Sequence, residues 1–184
     1  MMKKPFLIGK KCYLRPLEEA DVNDEYARWF NDPAVTRFLG MGKFPITKEG
    51  IRASLEDRFR HSKNDVILAI ADKKKDLHIG NVALNHINWV HRTADTGLVI
   101  GRKEFWGKGY ASEAWTLLLR YAFDTLNLHK LIATVVSGHD SSQAALEKLG
   151  FKVEGRGREE FFLEGKRYDY IRLGMLRKEF KPVA

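Results

Sequence analysis

The chain carries one cysteine, Cys12, in 184 residues. A lone cysteine closes no disulfide within its own chain, so the sequence does not read as a disulfide-stapled secreted domain, and a reducing cytoplasm is the expected location. Long apolar runs are missing too. None reaches the roughly 18 residues that span a bilayer as a helix, so no membrane partner is expected. The opening Met1-Met2-Lys3-Lys4-Pro5-Phe6 has no extended apolar stretch behind it, and no secretory leader is expected. Histidine and cysteine nowhere fall at metal-ligand spacing: His86 and His91 are five apart in a loop region and the other histidines are scattered. No metal is therefore expected. Repeats, low-complexity tracts and linkers are absent, and the length suits one domain over 1–184 with a sizeable core.

Negative charge is in the minority, with 24 acidic against 32 basic residues and a net charge of +8. That balance favours anionic partners: a phosphorylated cofactor, a ribosome or another nucleic acid surface. The charges are spread along the chain, with Lys73-Lys74-Lys75 the only run, so the excess serves solubility equally well.

What is present is organised around residues 101–114. Thr96-Gly97-Leu98-Val99-Ile100 reads as the end of a strand. Beyond it, Ala111, Ala114, Trp115, Leu118, Ala122 and Leu126 recur on one helical face. Between them lies Trp106-Gly107-Lys108-Gly109-Tyr110. A strand thus feeds a glycine-containing loop that opens a helix, leaving unpaired backbone N–H groups and a dipole that favour an anion. The loop is neither of two familiar phosphate loops. Gly109 follows Lys108 where a Walker A loop has Ser or Thr, and Ser112 replaces the third glycine of a dinucleotide fingerprint. A turn that binds nothing fits this stretch equally well.

In chain order, the pattern predicts a strand at 12–17, a helix over 18–30 broken near Asp21, and a turn at Asn31-Asp32-Pro33. A second helix starts at Thr47, with Ile51, Leu55 and Phe59 on one side. Strands follow at 65–71, 77–86 and 94–100, then the helix 108–125 and a β-branched strand at 131–136 that is parallel to its predecessor. Asp140 is the expected N-cap of the next helix, with Gln143 closing a capping box and Gly150 ending it. A hairpin of strands 159–163 and 168–176 closes the chain.

This order resembles the GNAT superfamily of N-acetyltransferases, and three stretches carry the likeness. Trp106 to Ala111 is similar to the family's Gln/Arg-x-x-Gly-x-Gly/Ala loop. Ser142 to Phe151 is similar to its Asn-x-x-Ser…Glu-Lys-x-Gly-Phe segment. Leu14-Arg15-Pro16-Leu17 with Trp29 to Pro33 resembles the RimJ/RimL branch. The resemblance implies an α/β (α+β) fold: a twisted mixed sheet with splayed central parallel strands and flanking helices. It implies acetyl-CoA as co-substrate and direct acetyl transfer to a primary amine in a ternary complex. The RimJ/RimL likeness implies a protein N-terminal α-amine as acceptor, with possible ribosome association. A small amine (polyamine, amino sugar, amino acid or antibiotic) is the alternative acceptor, and a non-catalytic acyl-CoA-binding module would share the same loop.

By that resemblance, the cofactor lies along Leu98, Val99 and Ile100, on the amides of Trp106, Gly107, Lys108, Gly109, Tyr110 and Ala111, and against His139, Ser142 and Lys148. An amide near Val99 or Ile100 would polarise the thioester carbonyl. Asp95, His139 and Ser142 are the candidate acid–base residues, since an amine must lose a proton and a thiolate must gain one. Leu146 stands where many relatives have a tyrosine acid, and Ser142 is its substitute. Trp29, Asn31 and Phe44 are the candidates on the acceptor side.

Overall fold

The computed structural model describes residues 4–61 and 63–181. Eight strands form one sheet: β1 (Leu7–Ile8), β2 (Cys12–Pro16), β3 (Val66–Asp72), β4 (Leu77–Asn88), β5 (Thr93–Ile100), β6 (Lys130–Val136), β7 (Lys152–Leu163) and β8 (Lys166–Leu176). Their spatial order is β1-β2-β3-β4-β5-β6-β8-β7. Every neighbouring pair is antiparallel except β5 and β6, which are parallel. Among the described residues, five α-helices flank the sheet: α1 (Asp24–Asn31), α2 (Pro33–Thr36), α3 (Lys48–His61), α4 (Tyr110–Arg120) and α5 (Asp140–Leu149). No helix among the described residues is long and apolar enough to cross a membrane.

Strand alternation sends side chains to two faces, and each face has its own core. Leu14, Ile70, Val82 and Leu84 meet Leu118 and Leu119 of α4 on one side, joined by Leu146 of α5. On the other side Ala69 lies under Tyr26, Trp29 and Phe30 of α1 and Ile51 of α3. Cys12 is fully buried in β2, as a core residue. Desolvation pushes its thiol up to about 12 and the neighbouring Glu113 carboxylate adds to the shift, so it carries no nucleophile.

The break predicted near Asp21 is real. A 3-10 turn at Glu19–Asp21 precedes α1, which Asn23 caps by accepting the Tyr26 N–H. Thr47 Oγ1 accepts the Gly50 N–H at 3.0 Å at the start of α3. Phe59, expected on the inner side of α3, lies outside the described side chains. Three expectations are corrected. The N-cap of α5 is His139 and makes no side-chain cap bond, and Gln143 bonds Glu147 at 2.9 Å instead of closing a box. The last hairpin begins at Lys152, seven residues before the predicted 159, because β7 carries register shifts at Val153/Gly155 and Gly157/Phe161 that scramble the period-two pattern. The two-residue β1 is too short for any pattern to show.

Candidate active site

The loop after β5 is built to leave amides free. Residues Lys103–Phe105 make a 3-10 turn, and the Trp106 N–H donates to Lys103 O at 3.0 Å. The Trp106 indole N–H folds back onto Ile100 O at 2.7 Å. Gly107 (φ 68°) and Gly109 (φ 83°) then turn the chain through the left-handed region. Gly109 is the N-cap of α4 without any side-chain cap, and the first turn closes with Glu113 N–H on Gly109 O. The amides of Tyr110, Ala111 and Ser112 therefore point out of the helix start. The expected run of amides at 106–111 is corrected at one end: Trp106 spends its own inside the loop.

The first strands fix this loop from behind. Glu113 accepts the backbone N–H groups of Lys11 at 2.7 Å and Cys12 at 3.1 Å, and Lys11 Nζ donates to Lys108 O at 2.8 Å. Tyr110 turns away from the loop and donates to Asp72 at 2.5 Å. That bond, and then burial, pushes its hydroxyl up to about 12. Lys108 itself is exposed.

Next to the loop the sheet opens. Strands β5 and β6 pair only over Thr93–Asp95 and Lys130–Ile132. Beyond Asp95, β5 stays on β4, and beyond Ile132, β6 stays on β8. The two strands diverge into a slot. Gly101 N–H donates to Ile79 O on the β4 side at 3.0 Å. Backbone direction alternates with period two, so Val99 also faces β4, while Leu98 turns its N–H and C=O, and Ile100 its N–H, toward the slot. This corrects the choice between Val99 and Ile100: Val99 is spent on β4. Helices α4 and α5 begin just after β5 and β6, so two helix N-termini flank the same end of the slot. Those features fit coenzyme A: free amides and two positive dipole ends for its phosphates, and an unpaired strand edge for its amide-bearing arm.

The candidate acid–base residues lie apart. Ser142 sits half-buried in the first turn of α5, its N–H on His139 O at 3.0 Å. His139 stacks on Phe38 with ring centroids 4.5 Å apart. Burial holds its pKa below the ordinary range against the pull of Asp140, which keeps the ring neutral at pH 7. Asp95 is at the base of the slot, where β5 and β6 part, and faces His86 Nδ1 at 3.1 Å. Lys148 is in the last turn of α5, about 12 Å along the axis from its start, and is exposed. Ser142 and His139 thus stand at the start of α5, the helix that follows β6, and Lys148 stands at its other end.

A cavity of 610 Å³ opens on the α1/α3 face. Its floor is β4 and β5 at Asn81, Ala83, Asn85, Gly97 and Val99, and its walls are Tyr26 and Phe30 of α1, the segment 39–47, and Ile51, Ser54 and Leu55 of α3. Leu98 also lines it. The cavity and the slot thus meet at one residue, Leu98.

Trp29, Asn31 and Phe44, expected at the acceptor, are absent from this wall. Trp29 is buried against Gly101, where an added Cβ would fall 1.9 Å from its ring. Asn31 clamps the end of α1 to the next segment, donating to Ala27 O and Ile46 O and accepting the Ile46 N–H. Phe44 points outward, 82% exposed.

Sequence reading missed a buried polar chain that ends at the cavity. Arg15 grips Asp21 through two bonds of 2.6 Å. Burial opposes ionisation of Asp21, but Arg15 and the Glu18 amide outweigh it and hold the carboxyl below its usual range. His78 Nδ1 lies 3.6 Å from Asp21. Its Nε2 faces Asn81 Oδ1 and Gly80 O, both at 2.9 Å, so that nitrogen carries the proton. Burial lowers the His78 pKa, and the ring is neutral. Asn81 then donates to Tyr26 Oη at 2.6 Å on the cavity wall. These residues are scattered over 15–81, and no spacing announces them.

Comparison with known proteins gives concordant matches. The profile of the acetyltransferase (GNAT) domain matches residues 11–152. The spermidine N(1)-acetyltransferase of Escherichia coli K12 is 32% identical over 168 residues, covering 91% of this chain and 87% of the other. An uncharacterized N-acetyltransferase of Bacillus licheniformis, p20, is 31% identical over 171 residues, covering 89% and 90%. Among solved structures, the spermidine N-acetyltransferase of Vibrio cholerae in complex with CoA and spermine superposes with a TM-score of 0.84 at 27% identity, over 92% of this chain and 97% of that one.

Proposed function

The chain belongs to the GNAT acetyltransferase family and is an acetyl-CoA-dependent N-acetyltransferase; from that premise we propose that its acceptor is a small-molecule primary amine. The observation that carries this reading is the 610 Å³ cavity meeting the cofactor slot at Leu98. Pockets of this size suit small molecules, and a cavity walled by α1, the segment 39–47 and α3 is ill-suited to an extended peptide. Relatives named as spermidine acetyltransferases point the same way.

Acetyl-CoA supplies an acetyl group activated as a thioester. The amine attacks the carbonyl carbon, the C–S bond breaks, and the sulfur leaves with the electron pair. The Leu98 N–H, the first slot-facing amide past the paired part of β5 and β6, stabilises the oxygen charge that develops. Ser142 Oγ–H donates to the departing sulfur from the first turn of α5. The substrate ammonium gives up a proton before it attacks, and the Asp95–His86 pair, on the strands that floor the cavity, is the acceptor assigned to it. Neutral His139, covered by Phe38, holds the start of α5 in place.

The test is release of free thiol from acetyl-CoA with a panel of amines and N-terminal peptides. Turnover with small amines is expected, and Ser142→Ala should lower kcat about tenfold or more with coenzyme A affinity unchanged. Equal kcat in that variant removes Ser142 as the acid. The net charge of +8 favours a second reading, a protein α-amine presented on an anionic ribosomal surface as in the RimJ/RimL branch. Turnover confined to peptides would establish it over the first.

A further inference from the structure

We propose that the acceptor is a primary monoamine on an apolar body, an arylalkyl or branched alkyl amine, and that polyamines are poor substrates. The proposal rests on the small-amine reading and narrows it. Among the described residues, no Asp, Glu, Lys, Arg or His lines the cavity. Its body is apolar, with Phe30, Met41, Ile46, Ile51, Leu55 and Val99 contributing wall. Its polar atoms come from neutral side chains: Tyr26, Thr47, Ser54, Asn81 and Asn85.

The carboxylates on and around α1 are engaged elsewhere. All six acidic residues from Glu18 to Asp32 are in ion pairs, with Lys4, Arg52, Arg15, Lys48, Arg102 and Lys103 in chain order. Asp95 is on the same strand face as Gly97, but lies outside the wall and turns to His86. A polyamine acetylated at one nitrogen carries at least one further ammonium, with a pKa of about 10 like that of a lysine side chain. Placed in this cavity, that charge would lose its water and gain no counter-charge. A monoamine gives up its only charge before it attacks, and its apolar remainder gains from burial against Phe30, Ile51 and Leu55. The polar side chains that such an amine meets on this wall, among them Asn81, Asn85 and Tyr26, are all neutral.

The experiment measures thiol release by the full chain with 2-phenylethylamine, spermidine and an N-terminal peptide. The expected result is a kcat/KM for 2-phenylethylamine at least about tenfold above that for spermidine. Non-reactive 2-phenylethanol should inhibit competitively against the amine, a readout of apolar binding that needs no variant. Ser54→Asp, which puts a carboxylate on the wall, should shift the ratio toward spermidine by about tenfold. Spermidine turned over as well as or better than 2-phenylethylamine overturns this proposal while the small-amine reading stands. Release with the peptide alone overturns both.

Discussion

Two glycines of similar appearance do different work, and mutation separates them. Gly101 is pressed on the Trp29 ring, so a methyl group there must displace an indole from the core. Gly101→Ala should lower stability by about 1–3 kcal/mol in denaturant unfolding. Gly109 has nothing but the Lys11 ammonium near its Cβ direction, yet sits at φ 83° beside the free amides. Gly109→Glu combines backbone strain with a carboxylate at an anion site, and coenzyme A affinity measured by calorimetry should fall by about 100-fold or more. At this scale the sequence was legible where chemistry dictates backbone shape: Gly107 and Gly109 turn the loop as expected. It was illegible where a side chain's partner is distant in sequence. Trp29 and Asn31 have the composition of a binding cleft, but one fills the space Gly101 leaves and the other holds Ile46. Tyr26 and Asn81, which do face the cavity, are ordinary residues until folding places them 2.6 Å apart.

At the scale of elements, the slot makes a prediction about β5 alone. Val99 has its N–H on β4, whereas Leu98 and Ile100 face the opening. Amide hydrogen exchange should alternate: slow at Gly97 and Val99, fast at Leu98 and Ile100, with the fast pair slowed by coenzyme A. Uniform protection along 97–100 without ligand would mean that β5 and β6 are zipped and the slot is closed. The strand order and the helix after the loop were readable from period-two and period-3.6 patterns. The divergence of β5 from β6 was not, because a strand edge left unpaired looks, residue by residue, like one that is paired. The early start of β7 was hidden for a related reason: its register shifts break the alternation that announces a strand.

For the molecule as a whole, pH dependence follows from groups held in one protonation state. His78 and His139 are kept neutral by burial. Unfolded, both accept protons near pH 6.5, so the unfolded state binds more protons below that point and stability falls as pH drops through it. Asp21 has a depressed pKa and loses its contribution only on further acidification, below the usual range of an aspartate. Stability against pH should therefore decline in two stages, and His78→Gln should flatten the first. A single decline confined below pH 4 would mean that both histidines are free to charge in the folded state. Composition foretold basic character, but the folded charge distribution was beyond it: six carboxylates from Glu18 to Asp32 are neutralised by cations drawn from as far as Lys103.

The narrow junction of β5 and β6 also bears on how the chain assembles. From β1 to β5 each strand pairs with its predecessor, so that part of the sheet can grow by successive contacts, the longest loop being residues 17–65 between β2 and β3. The antiparallel pair β7 and β8 is a hairpin that forms locally, with β6 added to its open side. Only Thr93–Asp95 with Lys130–Ile132 joins the two halves within the sheet, across the whole length of α4. The seam between the halves is thus three residues long on each side, and a ligand held in the slot beside it would touch both halves and tie them together.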